Sequence, residues 1–193
     1  MGSAEADLAL VNRVKRGDKA AFDLLVIKYQ SRIINLVSRF VRNQADAQDV
    51  TQEAFLKAYR AMANFRGESA FYTWLYRIAV NTAKNFLAVQ ASRRPSEMEL
   101  NVSEMEQIDD SNALKDLDTP EHLLLTKEIQ DTVIRAIEGL PEDLHTAITL
   151  RELEGLSYEE IAEVMACPIG TVRSRIFRAR EAIDKLLNPL IKE

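Results

Sequence analysis

Apolar positions recur along the chain with the 3.6-residue period of an α-helix, and no stretch alternates as a β-strand does. In the first half this pattern predicts four helices, at residues 5–16, 18–43, 46–63 and 69–91. Further on it predicts helices from Pro120 to Gly139, from Pro141 to about Glu154 and from about 158 to 166, and then a basic helix. The sequence therefore predicts an all-α protein.

Charge divides the chain into three parts. Residues 1–92 hold 13 Lys and Arg against 8 Asp and Glu, which gives +5. Residues 93–119 hold 3 Lys and Arg against 8 Asp and Glu, and residues 120–193 hold 9 against 14, which gives −5 for each of these two parts. The whole chain therefore carries −5. Apolar density drops in the middle part, as in a flexible connector. We therefore predict two small helical domains, residues 1–92 and 120–193, joined by a flexible acidic linker at 93–119.

The stretch LSYEEIAEVMACPIGTVRSRIFRAR, residues 156–180, predicts a helix-turn-helix in the second domain. Ser157 and Glu160 form a capping box at the start of a short helix. Pro168 cannot continue that helix, and Gly170 allows a sharp change of direction. The helix that follows has an apolar face, which consists of Val172, Ile176, Ala179 and Ile183.

The second helix of this motif carries four arginines and no acid between residues 170 and 180. In a helix-turn-helix the N-terminal part of the second helix enters the major groove of DNA. The side chains that could then reach base edges are Arg173, Ser174, Phe177 and Arg178. Arg175 and Arg180, on the flanks, are better placed for phosphates. The alternatives are a solvated charged face and, for Phe177, packing beneath a neighbouring helix.

Aromatic residues are interleaved with a few cationic ones in the first domain, in NFRGESAFYTWLYRIAVNTAKNFL at residues 64–87. A helical wheel places Trp74, Arg77, Asn81 and Lys84 opposite an apolar face. An aromatic ring, cations and an amide together suit unstacked bases and a nucleic-acid backbone. The alternative is that the aromatics at helical spacing form a core.

The helix before that run has an acidic, amide-bearing side made of Asp49, Gln52 and Glu53. Such a surface could dock on a basic protein partner. It could equally be a solvated acidic face.

Other features narrow the class of protein. The chain has 193 residues, of which 47% are apolar and 28% charged, as in an ordinary soluble protein. A single cysteine, Cys167, excludes an internal disulfide and fits a reducing cytoplasm. His122 and His145 stand alone and are predicted on solvated helix surface. We expect no cofactor, no metal site, no signal peptide and no membrane span.

Two long segments together resemble the extracytoplasmic-function sigma factors of bacteria, of the sigma-E/AlgU type. They are DAQDVTQEAFLKAYRAMANFRGESAFYTWLYRIAVNTAKN and LPEDLHTAITLRELEGLSYEEIAEVMACPIGTVRSRIFRAREAI, and the resemblance extends over nearly the whole chain. It implies a two-domain subunit without catalytic activity that directs core RNA polymerase to stress-response promoters. The first domain would bind the clamp helices and melt the −10 element, and the second would bind the flap and read the −35 element.

Position by position, the resemblance implies a role for each group of residues. Asp49, Gln52 and Glu53 would bind core polymerase. Phe65 and Asn81 would capture a flipped −10 base, Trp74 and Tyr76 would help melting, and Arg77 and Lys84 lie in the same DNA-binding run. Arg173, Ser174, Phe177 and Arg178, flanked by Arg175 and Arg180, would read the −35 element.

The resemblance also implies that the acidic linker threads through the polymerase's nucleic-acid path. It further implies restraint by a membrane-bound anti-sigma factor on the cytoplasmic side. A freestanding helix-turn-helix regulator that binds duplex DNA as a dimer is the alternative, but it leaves the aromatic run and the acidic helix unused. An enzyme such as a nuclease has no support, because no His, Cys or carboxylate cluster has metal-ligand spacing.

Overall fold

The computed structural model describes residues 2–93 and 132–191. The predicted linker, apart from Arg93, lies outside these residues, as do the predicted helix start at Pro120 and His122. Within the two described ranges the chain forms helices and turns with no β-strand. The predicted fold class, all-α with two helical domains, is confirmed.

The first domain consists of four α-helices and a short 3₁₀ turn. They are α1 (Gly2–Lys15), α2 (Lys19–Ser38), α3 (Gln44–Ala61), the turn Met62–Asn64 and α4 (Phe71–Arg93). Asp18 caps α2 by accepting a hydrogen bond from the Ala21 amide (3.2 Å), and Asn43 caps α3 through the Asp46 amide (3.0 Å). Helix α2 ends at Ser38, five residues before the predicted end, and Val41 in the segment that follows is buried.

The core of the first domain is formed by the facing sides of α2, α3 and α4. Its fully buried side chains include Leu25, Ile33, Leu36, Val50, Leu75 and Val80. Helix α1 is tied to α2 by the buried carboxylate of Asp7, which accepts hydrogen bonds from Lys28 and from the Tyr29 hydroxyl. A buried carboxylate needs such partners, since it would otherwise lose its hydration without compensation.

The second domain is built from helices that pack around buried aliphatic side chains. Residues 132–138 are helical (α5), followed by α6 (Glu142–Ile148), a π-helical segment (Thr149–Leu153), α7 (Tyr158–Met165) and α8 (Ile169–Ile191). The predicted helix from Pro141 to Glu154 is present, but its second half has the wider π form that the sequence did not predict. The buried core includes Leu150, Ile161, Val164, Val172 and Ile176.

Helices α7 and α8 form the predicted helix-turn-helix. Both hydrogen bonds of the capping box are present, from the Glu160 amide to Ser157 Oγ (3.2 Å) and from the Ser157 amide to Glu160 Oε2 (2.8 Å). The prediction that Gly170 makes the turn is wrong. The chain reverses at Ala166, which has a left-handed φ of 50°, whereas Gly170 lies inside α8.

The two domains pack against each other, with α4 of the first against α7 of the second. The Tyr76 hydroxyl donates a hydrogen bond to Glu154 (2.8 Å), and Lys84 forms ion pairs with Glu142 (3.0 Å) and Asp143 (3.6 Å). In this structure, residues of the predicted −10 surface are engaged by the second domain.

Candidate nucleic-acid and polymerase interfaces

Helix α8 presents one apolar and one polar side, as its sequence predicts. Val172, Ile176 and Ala179 are almost fully buried against α6 and α7. The four side chains predicted to reach bases are all exposed on the other side; they are Arg173, Ser174, Phe177 and Arg178. Phe177 is 69% exposed, so it does not pack beneath a neighbouring helix. The geometry leaves this side of α8 open to a ligand.

The four arginines of α8 have different surroundings. Arg175 pairs with Asp143, and Arg180 donates from Nε (3.2 Å) and Nη2 (2.6 Å) to one carboxylate oxygen of Glu152. That hydrogen bond raises the pKa of the Arg180 guanidinium. Arg173 lies over the Tyr158 ring at 5.9 Å, and Arg178 has no ion-pair partner among the described residues.

The aromatic residues predicted to bind −10 DNA lie in the interior of the first domain. Phe65, Trp74 and Tyr76 are 4%, 9% and 3% exposed. The Trp74 ring packs on Phe65 (5.1 Å between centroids) and on Phe71 (5.8 Å). Burial and the Glu154 carboxylate raise the pKa of the Tyr76 hydroxyl above its usual value. The helical wheel did not predict this burial of Trp74.

Next to these rings is a cavity of about 380 Å³. Its wall is formed by residues 64–69, Trp74 and Arg77 from the first domain and by Glu163 from α7. The structure therefore brings Phe65, Trp74 and Arg77 together around one space. Asn81 is exposed about one turn further along α4, while Lys84 is partly buried in its ion pairs with the second domain.

The predicted polymerase-binding residues form a continuous exposed surface on α3. Asp49, Gln52 and Glu53 all face solvent, and Glu53 is paired with Lys57 (2.8 Å). The same side continues into two exposed apolar side chains, Leu56 (55%) and Tyr59 (39%). Leu56 and Tyr59 were not predicted from the sequence as part of this surface. Leu56 follows Gln52 by four residues and Glu53 by three, and Tyr59 follows Leu56 by three, so helical spacing could have shown that they share this side.

Comparison with known proteins places both domains in one family. The Sigma-70 region 2 model matches residues 25–93, and the Sigma-70 region 4 model matches residues 130–183. The RNA polymerase sigma-H factor of Pseudomonas aeruginosa is 62% identical over 193 residues, and the ECF RNA polymerase sigma-E factor of Escherichia coli K12 is 58% identical over 192 residues. Both alignments cover the whole of both chains. The chain belongs to the ECF sigma factors of RNA polymerase.

Two solved structures share the fold. CnrH, solved with the cytosolic domain of CnrY, has a TM-score of 0.66 at 22% identity over 95% of this chain and 98% of that one. The sigma factor RpoE of Bartonella quintana, solved with the anti-sigma factor NepR, has a TM-score of 0.67 at 22% identity over 86% and 96%. The predicted function as an RNA polymerase sigma factor is confirmed, and the freestanding-regulator alternative is not favoured.

Three further observations bear on this ECF sigma factor. The prediction of a solvated His145 is wrong, because its ring packs edge-on against Phe40 at 5.1 Å and burial lowers its pKa. Within the described residues, no three His, Cys, Asp or Glu side chains cluster as metal ligands would. None of the helices in the described part is both long enough and apolar enough to cross a membrane.

Proposed function

We propose that the second domain reads the −35 element through α8 and that the first domain binds core polymerase and opens the −10 element. The observation that carries this proposal is the exposed side of α8, where Arg173, Arg178 and Phe177 face solvent above a fully buried aliphatic face. Arginine pairs with guanine and apolar side chains contact thymine methyls in the major groove. This side of α8 therefore has the chemistry of direct base readout.

The −10 site combines the cavity beside Phe65 and Trp74 with the exposed part of α4. A base that has left the duplex stack could enter this space against the aromatic wall. Arg77 would contact the backbone and Asn81 a base edge. Tyr76 and Lys84 are engaged by Glu154, Glu142 and Asp143, so their action on DNA requires the two domains to separate.

Core polymerase would dock on the α3 surface made of Asp49, Gln52 and Glu53, with Leu56 and Tyr59 at its apolar end. The acidic residues suit a basic partner, while exposed Leu and Tyr side chains gain from burial in an interface. The chain as a whole carries −5, which weakens its attraction to bare DNA. Promoter binding therefore depends on polymerase, and the chain supplies recognition without catalysis of its own.

Regulation would follow the pattern of the related complexes. CnrH was solved with the cytosolic domain of CnrY, and the B. quintana sigma factor was solved with a partner named as an anti-sigma factor. We infer that this chain acts in the cytoplasm on stress-response promoters and is restrained by a membrane-bound anti-sigma factor. The acidic linker at 93–119 would follow the polymerase's nucleic-acid path, where its charge resembles that of the strand it meets.

Asn81→Ala tests the proposed base capture, because the side chain is exposed and its loss should spare the fold. With core polymerase and the variant, transcription from duplex promoter DNA should fall, and a pre-melted −10 bubble should not restore it fully. The bubble supplies unstacking but cannot replace a base-edge contact. Asn85→Ala, an exposed amide one turn further along α4, is the matched control. Equal activity of the two variants on both templates would contradict base capture by Asn81.

A further inference from the structure

The two flanking arginines of α8 are both paired with carboxylates from earlier elements of the second domain. Arg180 pairs with Glu152 of the π-helical segment, and Arg175 pairs with Asp143 of α6. The two arginines predicted to reach bases differ from them. Neither Arg173 nor Arg178 meets a carboxylate within the described part of the chain. The arginines suited to phosphates are thus the neutralised ones.

Pairing matters because sequence-independent binding grows with the number of cations that meet phosphates. A phosphate that approaches Arg180 must displace the Glu152 carboxylate or bind beside its negative charge. The pair is half exposed, with 52% of the Arg180 side chain and 46% of the Glu152 side chain accessible. Exposed pairs of this kind are weak, so Glu152 reduces the phosphate contact of Arg180 without abolishing it.

The π-helical segment fixes the position of Glu152. Thr149 and Leu150 in this segment are buried in the domain core. A π turn contains an additional residue, which changes the direction of the side chains that follow it relative to a regular α-helix. Glu152 follows these buried residues and pairs across to Arg180 of α8 (2.6 Å). Arg151, its neighbour, packs on the Tyr158 ring (4.8 Å), on which Arg173 also lies.

We propose that Glu152 is a positioning residue that holds Arg180 back from DNA phosphates and so limits sequence-independent binding by α8. The inference rests on the proposed reading of the −35 element by this helix. With Arg180 restrained, the contacts of Arg173 and Arg178 with bases make up a larger share of the affinity. Asp143 acts on Arg175 in the same way, but it also contacts Lys84 of the first domain. Glu152 is therefore the residue to test, because its substitution does not disturb the contact with Lys84.

The experiment compares Glu152→Gln with wild type in the full chain assembled with core polymerase. The probes are duplex promoter fragments with a −35 element selected by the wild-type holoenzyme and the same fragments with that element scrambled. Binding is measured over a series of salt concentrations at a temperature that prevents melting. Glu159→Gln is the matched control, because Glu159 is exposed, lies in the same domain and has no side-chain partner among the described residues.

Glu152→Gln should bind the scrambled fragment about two- to fivefold more tightly than wild type. Its plot of log affinity against log salt should be steeper by about one phosphate contact. Glu159→Gln should leave the slope unchanged. In the Glu152→Gln background, Arg180→Ala should abolish the gain in affinity. As a single substitution, Arg180→Ala should change the salt slope less than Glu152→Gln does.

Two failures have different meanings. If wild type binds the selected and scrambled fragments equally, the proposed reading of the −35 element is itself wrong. If wild type discriminates but Glu152→Gln matches Glu159→Gln in both affinity and slope, Glu152 does not restrain Arg180 and the inference is overturned.

Discussion

Helices α4 and α8 both combine aromatic and cationic residues, yet they use them in opposite ways. In α8 the aromatic Phe177 is 69% exposed, while in α4 the aromatic Trp74 is 9% exposed. Helix α8 completes its core with Val172, Ile176 and Ala179 on one side, which leaves the other side free. Helix α4 packs against α1, α2, α3 and α7, so several of its sides are covered. An amphipathic pattern predicts exposure reliably only for a helix covered on one side.

The largest expected effect is the difference in stability between variants that lack Trp74 and variants that lack Phe177. Trp74→Ala removes a ring that packs on Phe65 and Phe71, and it should lower the free energy of unfolding by about 3–5 kcal/mol. Phe177→Ala removes an exposed ring, and it should change that free energy by no more than about 0.5 kcal/mol. Urea unfolding of both variants measures the difference. Similar losses would show that the two rings have equivalent surroundings.

The next effect concerns DNA recognition by α8. Arg178→Ala should weaken binding of the holoenzyme to the selected −35 element by about 1–3 kcal/mol and relax the preference at one base position. Lys185→Ala removes a positive charge two turns later, from a side chain that is 73% exposed and pairs with Glu181 (3.4 Å). It should cause a smaller loss that is equal on all sequences. Competition binding with single-base −35 variants measures both, and a uniform loss for Arg178→Ala would exclude base reading.

The smallest effect lies where the two domains meet. Burial, aided by Lys84 and opposed by Glu138, lowers the pKa of His145 below its usual value of about 6.5. The unfolded chain therefore takes up a proton before the folded chain does, and the free energy of unfolding falls as the pH drops from 7 through the pKa of the folded state. His145→Gln should flatten this dependence in urea titrations at several pH values. If the variant showed the same pH dependence of the free energy of unfolding, that dependence would come from groups other than His145.

Local features could be predicted from the sequence, and long-range ones could not. The capping box at Ser157 and the apolar face of α8 depend on residues within a few positions of one another, and both predictions are confirmed. The burial of Trp74 depends on helices far away in the chain. The π-helical segment has no sequence signal of its own, since its apolar and polar residues also fit an α-helix. Only the packing of the whole domain determines it.

In the turn of the helix-turn-helix, too, the sequence predicted the presence of the turn but not the residue with the left-handed conformation. Glycine is the residue that most readily adopts a left-handed conformation, so Gly170 was the natural prediction. The chain instead uses Ala166, one residue after α7 ends, and continues through Pro168 into α8. Composition identified the turn but not the residue that makes it.

This chain is an RNA polymerase sigma factor, and we expect it to recognise promoter DNA mainly as part of the holoenzyme. The most direct test is transcription in vitro from a duplex promoter of the ECF sigma-E type, with core polymerase alone, with this chain alone and with both. A transcript from a defined start should be made only by the combination, and the free chain should bind the promoter weakly at physiological salt. No transcript from the combination, together with tight sequence-specific binding by the free chain, would contradict the account.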